Sequence, residues 1–178
     1  MEAEDNLILV DPDDREIGTG EKLEVHRKGL LHRAFSVFLF HGDCLVIQKR
    51  AAGKYHSAGL WANTCCSHPH AGQTLPEAVS QRLEQECGVR GAEVTEAGSF
   101  VYRAVFPNGL TEYEYDHVFV GRYDGPIAPD PEEIAELRYV TPVELKKDLL
   151  EHPEQYAAWF FTAFGIAEKW IPAGREKI

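Results

Sequence analysis

The stretch that most narrows what this chain can become runs from Gly29 to Phe40, and above all through Ala34-Phe35-Ser36-Val37-Phe38-Leu39-Phe40. Apolar and β-forming residues follow one another almost without a break, the pattern of a strand covered on both faces. Gly42-Asp43 then turns the chain into Cys44-Leu45-Val46-Ile47-Gln48-Lys49-Arg50, which predicts a hairpin. Leu7 to Val10 reads as an earlier strand stopped by the turn cluster Asp11-Pro12-Asp13-Asp14, and Glu21 to Arg27 fits either a strand or a short helix. Further on, Thr74-Leu75-Pro76-Glu77 is a capping box with proline early in the first turn. Leu75, Ala78, Val79 and Leu83 recur at helical spacing, and Gly88 is placed to end that helix. Phe100–Ala104 and Thr111–Arg122 read as strands joined by Pro107-Asn108-Gly109, and Leu137–Val140 as a short extended piece. Thr141-Pro142-Val143-Glu144 opens another capped helix, and Pro153 begins a last one rich in aromatics, with Tyr156, Trp159, Phe160, Phe161 and Phe164. Strands interleaved with helices predict an α/β (α+β) domain, a mixed β-sheet sandwiched between helices.

Length and charge limit the rest. At 178 residues, without repeats or low-complexity linkers, the chain predicts a single domain over residues 1–178 with a core from about 5 to 170. A domain of this size buries roughly 70% of its unfolded surface and needs no staples. The net charge of −11 argues against nucleic acid or an anionic membrane as partner. No apolar run approaches the ~18 residues of a membrane span, and Met1-Glu2-Ala3-Glu4-Asp5 lacks the layout of a signal peptide. A cytoplasmic protein is expected. In that compartment Cys44, Cys65, Cys66 and Cys87 are not expected to form disulfides, and their spacing is not that of a zinc ribbon.

Two places carry possible chemistry. In Asn63-Thr64-Cys65-Cys66-Ser67-His68-Pro69 a thiol lies two residues from an imidazole, in a segment rich in turn formers upstream of a helix. Thiolates are nucleophiles and imidazoles bind metals or move protons, although a buried thiol is also an ordinary packing group. Glu112 and Glu114 flank Tyr113, so strand alternation puts both carboxylates on one face, which Val118 and Val120 continue. Facing a core, two such carboxylates repel unless a cation neutralises them. They fit either the solvated face of an edge strand or a metal site, with His26, His32 and His68 as candidate partners for an ion such as Zn²⁺ or Mn²⁺. His41, His56, His70, His117 and His152 read as surface or packing residues, and Cys44, Cys65 and Cys87 as packing.

The Gln73–Gly88 helix resembles the catalytic helix of the Nudix hydrolases, whose box reads G-x5-E-x7-R-E-U-x-E-E-x-G-U with U apolar. Leu83, Glu86, Gly88 and Val89 fit it. Ser67, Gln73, Gln81, Arg82 and Gln85 replace its glycine, glutamate, arginine, glutamate and glutamate. The result looks like a Nudix scaffold from which diphosphate hydrolysis has been removed. Gly29-Leu30-Leu31-His32-Arg33-Ala34-Phe35-Ser36, the Asn63–Pro69 segment and Tyr113-Glu114 strongly resemble the type I isopentenyl-diphosphate isomerase family, with matching landmarks from Ile8 to Trp170.

That resemblance implies a Nudix-like fold and conversion of isopentenyl diphosphate to dimethylallyl diphosphate by a cytoplasmic monomer. It implies a Zn²⁺, Mn²⁺ or Mg²⁺ ion on His26, His32, His68, Glu112 and Glu114, and a catalytic Cys66 opposed by Glu114 with Tyr102. A second Mg²⁺, brought to the diphosphate, falls to Glu86 and the Cys66 carbonyl, with Lys22, Arg50, Lys54, Arg82 and Ser67 around the substrate and Trp159 lining the hydrocarbon pocket. The reaction needs two opposed acid–base groups, because an alkene must gain a proton at one end while a tertiary carbocation loses one at C2. Rival expectations are a Nudix-type diphosphate hydrolase and a non-catalytic zinc-binding domain.

Overall fold

The computed structural model describes residues 6–170; the acidic Met1–Asp5 stretch, the ends of the expected 1–178 domain and the 171–178 segment lie outside the described residues. The apolar stretch forms β3 (His32–His41), and the sheet is built around it. Along one side, β8 (Thr111–Arg122) runs parallel to β3 from His32↔Glu114 to Phe40↔Arg122. The other side is shared by three antiparallel neighbours: β1 (Asn6–Val10) at His32, β6 (Cys65–Ser67) at Phe35–Val37 and β4 (Cys44–Arg50) at Leu39–His41. Outside these lie β2 (Glu16–Glu21) on β1, β7 (Val94–Val105) on β8, and both β5 (Trp61–Ala62) and β9 (Ile134–Val140) on β4.

Alternation on β3 explains why nearly every residue is apolar. Phe35, Val37 and Leu39 pack with Cys65, Ala78, Val79, Leu83 and Cys87, burying one face of α2 (Leu75–Cys87). Phe38 packs on the opposite face with Val118, Val120 and Phe160, Ala163 and Phe164 of α4 (Phe160–Ala167). The helices on both sides are therefore required by the strand they cover. Both expected capping boxes form, Thr74 with Glu77 on α2 and Thr141 with Glu144 on α3 (Pro142–Glu151). Gly88 ends α2 at φ 64°, where a Cβ would also meet the Ala128 carbonyl oxygen at 2.9 Å.

Several local expectations change. Glu21–Arg27 resolves as α1 (Lys22–Lys28), because the Glu21 carboxylate accepts hydrogen bonds from the Leu23 and Glu24 amides. The preceding β2 was hidden by its glycines; a Cβ on Gly20 would lie 2.7 Å from Val25 of α1. The Cys66 segment is a strand rather than a turn, and α2 starts only at Leu75. The last aromatic stretch divides into a 3₁₀ turn at Pro153–Gln155 and α4, with Trp159 at the N-cap. Strand β7 begins at Val94, ahead of the Phe100 expected. Finally, β8 is flanked by β3 and β7, so the solvated-edge account of its carboxylates fails.

Candidate active site and metal centre

Register decides which side chains meet. On β8 the inward face carries Glu112, Glu114 and Asp116, all buried. His32, paired with Glu114, presents its ring from the start of β3. Cys66 pairs with Ser36, so it shares the His32–Ser36 face, whereas Cys65 turns to the α2 side. His68 follows two residues after Cys66, and Tyr102 of β7 lies opposite Glu114. The remaining imidazole, His26, comes from α1.

Ligand atoms of His26, His32, His68, Glu112 and Glu114 all lie within 4.8 Å of one another. His68 Nε2 is 2.8 Å and His32 Nε2 3.5 Å from Oε1 of Glu114, and His26 Nε2 is 3.2 Å from Oε1 of Glu112. Two tautomers follow from geometry. His26 Nδ1 lies 2.6 Å from the Lys22 carbonyl oxygen and His32 Nδ1 2.8 Å from that of Leu30. A carbonyl only accepts, so each Nδ1 carries the hydrogen and each Nε2 offers a lone pair. Those lone pairs face carboxylate oxygens, an arrangement that calls for a cation between them. Burial lowers His32 to about 4 and, helped by His32, takes His68 well below the imidazole range, so both rings are neutral. Burial and the adjacent Glu112 charge push Glu114 well up. Glu112 is buried too, yet hydrogen bonds from Glu114 and His56 hold it well below the carboxylate range. Neutral imidazoles and carboxylates anchored from behind fit a divalent cation.

Beside this cluster opens a cleft. Cys66, Glu114, Tyr102 and Trp159 line it, with Ser67, His68, Glu112 and Glu86. Lys22, Arg50, Lys54 and Arg82 supply its cations, while His26 and His32 belong to the cluster behind its wall. Burial pushes the Cys66 thiol up to about 11 against the pull of Arg50, whose Nη1 is 3.5 Å from the sulfur. The Tyr102 hydroxyl donates to Glu114 at 2.8 Å and reaches Glu112 at 3.1 Å; burial and both carboxylates keep its proton on. Trp159, 3% exposed, donates Nε1–H to Asn63 at 2.9 Å, and its ring meets the Arg50 guanidinium at 5.4 Å. Lys54 pairs with Glu133, and Arg82 with Glu86 and, at 3.6 Å, with Glu133.

Five residues at this site were not singled out by sequence. Asp116 accepts from Ser36 Oγ at 2.8 Å while its Oδ1 has no partner, and burial raises its carboxyl to about 7. The alternation that paired Glu112 with Glu114 also pointed to it, and Ser36 was the polar residue in an apolar run. His56, expected to be surface or packing, is 8% exposed with Nε2 2.5 Å from Glu112. Tyr55 and Glu133 stand in loops without any distinguishing pattern. His117, likewise expected to be a surface or packing residue, is buried between Asp14 and Glu96 away from the cleft.

Residues 30–160 match the NUDIX domain family. The chain is 50% identical over 157 residues to "Isopentenyl-diphosphate Delta-isomerase 1" of Aromatoleum aromaticum, covering 88% of each chain. It is 48% identical over 158 residues to "Isopentenyl-diphosphate Delta-isomerase" of Burkholderia multivorans, covering 88% and 89%. The chain belongs to the isopentenyl-diphosphate Delta-isomerase family. Among solved structures, DR0079 from Deinococcus radiodurans superposes with a TM-score of 0.68 at 20% identity, over 90% of this chain and 96% of that one. A MutT protein from Methanosarcina mazei gives 0.63 at 17% identity, over 78% and 94%. At those identities the likeness is one of fold, and it agrees with the α+β, Nudix-like sheet described above. Within this isomerase family member, the helix that resembles the hydrolase box holds Gln73 against Gln81 at 2.6 Å and Arg82 against Gln85 and Glu86. Glu86 is the one glutamate left at the box's glutamate positions.

Proposed function

We propose that this chain isomerises isopentenyl diphosphate to dimethylallyl diphosphate, with Cys66 and Glu114 as the opposed acid–base pair. The observation that carries the proposal is that a thiol, a buried carboxylate and an indole share one cleft with four cationic side chains. Cys66 stands on β6 and Glu114 on β8, with β3 running between them as the floor. A five-carbon chain bound in this cleft would lie between Cys66 and Glu114, which both line it. One adds a proton to the terminal alkene carbon and the other takes one from C2, so the number of protons on substrate is unchanged. Tyr102 hydrogen-bonds Glu114 and orients it for that exchange. Trp159 offers a π face to the tertiary carbocation, an interaction of roughly 2 kcal/mol or more without water. Supporting both roles, its ring is held by Asn63 and edged by His56.

Lys22, Arg50, Lys54 and Arg82, with Ser67, take the diphosphate at the other end. Glu86 and the Cys66 carbonyl would hold Mg²⁺ there, and His26, His32, His68, Glu112 and Glu114 would hold Zn²⁺, Mn²⁺ or Mg²⁺. When bound, the latter ion would tune the proton affinity of Glu114. A working monomer is part of the proposal, and no described helix is long and apolar enough to cross a membrane. A cytoplasmic location and a small-molecule substrate complete the proposal.

Incubation with isopentenyl diphosphate in D₂O should place deuterium in dimethylallyl diphosphate, followed by NMR. Cys66→Ala should abolish conversion with the fold retained. Full activity in that variant, or phosphate release in place of isomerisation, would overturn the assignment.

A further inference from the structure

The loop after β4 brings in a histidine that the chemistry above leaves without a task. His56 lies outside the group whose ligand atoms converge, yet its Nε2 is 2.5 Å from Oε1 of Glu112. We propose that His56 is a positioning residue for the metal centre, its Nε2–H fixing the orientation in which Glu112 meets the cation. This rests on reading the five-residue cluster as a metal site.

The tautomer follows from the neighbours. Nδ1 lies 3.1 Å from the Ser57 hydroxyl, which can donate to it, leaving the ring hydrogen on Nε2 to face an acceptor-only carboxylate. That is the reverse of His26, whose Nε2 lone pair faces the same carboxylate oxygen at 3.2 Å. The two imidazoles at Oε1 therefore divide into a ligand and a donor. The Tyr102 hydroxyl, whose hydrogen goes to Glu114, lies 3.1 Å from the other oxygen, Oε2. With the His56 donor on Oε1 and the Tyr102 hydroxyl packed against Oε2, the carboxylate plane is held from both oxygens.

The surrounding chain is shaped to hold that donor. The His56 ring stacks on Phe106 at 4.9 Å and 13°, with Tyr55 and Trp159 edge-on at 4.5 and 5.9 Å. Its carbonyl accepts from Arg50 Nη2 at 3.3 Å, and Asn108 donates to the Tyr55 carbonyl at 2.8 Å. Ser57 adopts φ 52°, a left-handed conformation uncommon for a residue with a side chain. A ring needed only for packing would be served by phenylalanine, which buries no nitrogen.

The test separates packing from hydrogen bonding. Metal-free wild type, His56→Phe and His56→Gln are titrated with Mn²⁺ alone, free ion being read by electron paramagnetic resonance. Phenylalanine keeps the ring and loses the donor, whereas the glutamine amide can donate from the place of Nε2. The expected result is a Kd raised roughly 10- to 100-fold in His56→Phe, the usual cost of an outer partner, and recovered in His56→Gln to within about threefold. Phenylalanine binding Mn²⁺ as tightly as wild type, or glutamine as weakly as phenylalanine, overturns the proposal. If His56→Phe does not fold, His56→Ala supplies the variant without a donor and is judged by the same two outcomes. Wild type that binds no Mn²⁺ would instead refute the metal-centre reading itself.

Discussion

Arg82 and Glu86 give the most direct quantitative test of how the cleft is held together. They sit one turn apart on α2, and the Arg82 guanidinium meets Glu86 Oε1 through Nε at 3.0 Å and through Nη2. The Glu86 side chain is 4% exposed and that of Arg82 23%, so the carboxylate is the group that cannot recover water. Breaking a buried pair from one side costs about 3–5 kcal/mol, chiefly because the remaining charge is stranded. Lys54 lies near enough to Glu86 for their charges to interact, which places the expectation for Arg82→Met at the low end, about 3 kcal/mol. For a domain of this size, 1 kcal/mol shifts Tm by roughly 2–4 °C, so the variant should melt about 6–12 °C lower. Arg82→Met/Glu86→Gln should recover much of that loss, since no unpaired charge remains, while its activity stays low. Thermal melting reads the Tm shift, and urea denaturation at pH 7 reads the loss and its recovery, with a change in midpoint at constant slope as the signature. A single variant within 2 °C of wild type, or a double variant less stable than the single, would refute the view that Arg82 neutralises a buried charge.

Trp159→Phe keeps an aromatic wall but leaves the buried Asn63 Oδ1 without its donor, which should cost about 1–3 kcal/mol in urea denaturation. In the same variant kcat should fall more than KM rises, because the π face acts on the carbocation; an unchanged kcat would contradict that role. Chelation of divalent metal should lower Tm and Mn²⁺ should restore it, by about 2.7 kcal/mol at a hundred times Kd; a Tm indifferent to both would count against the metal centre. Tyr156 and Arg138 hold the Asp148 carboxyl below its ordinary range. A depressed folded pKa stabilises above the unfolded pKa near 4 and is lost as pH falls through the folded value. Asp148→Asn should therefore lower Tm at pH 7, and the difference should shrink as pH falls below the ordinary carboxylate range, as calorimetry at neutral and acid pH can show; an undiminished difference in acid would exclude the linkage.

Much of the architecture was legible because β3 and α2 carry unambiguous local signals. A strand apolar on both faces demands cover on both, and a capping box with a later glycine delimits a helix. Short strands were lost where pairing, rather than composition, defines them. Cys65–Ser67 looks like a turn until β3 supplies Phe35–Val37 as partner. Glu16–Glu21 carries two glycines, one of which makes room for α1. At the site, His26, His32, His68, Glu112 and Glu114 could be grouped as candidates from residue chemistry, but nothing in their spacing shows that α1, β3, β6 and β8 converge. Asp116 was within reach, since it stands two residues beyond Glu114 on the same alternation. His56 was not, because its role depends on a loop bent at Ser57 to face Glu112 from the far side.

The same fold can serve chemistry at either end of a diphosphate ester, depending on which layer carries the reactive groups. In the hydrolase box the glutamates stand on the helix, and the helix meets phosphate. Here Gln73, just ahead of α2, and Arg82 and Gln85 on it stand at three of those positions, and the remaining Glu86 is tied to Arg82. The titratable groups have moved to the sheet: Cys66 on β6, Glu112, Glu114 and Asp116 on β8, and Tyr102 on β7. They face the side closed by Trp159 and α4, away from the α2 face to which Cys65 turns. In the proposed reaction the helix would supply charge to the diphosphate, and the sheet face would supply proton donors and acceptors under an aromatic cover. A carbocation lives longest away from water and beside a π face, so proton transfer to an alkene belongs on the sheet and anion binding on the helix. Adjacent cysteines on opposite faces of one short strand mark the boundary between the two tasks.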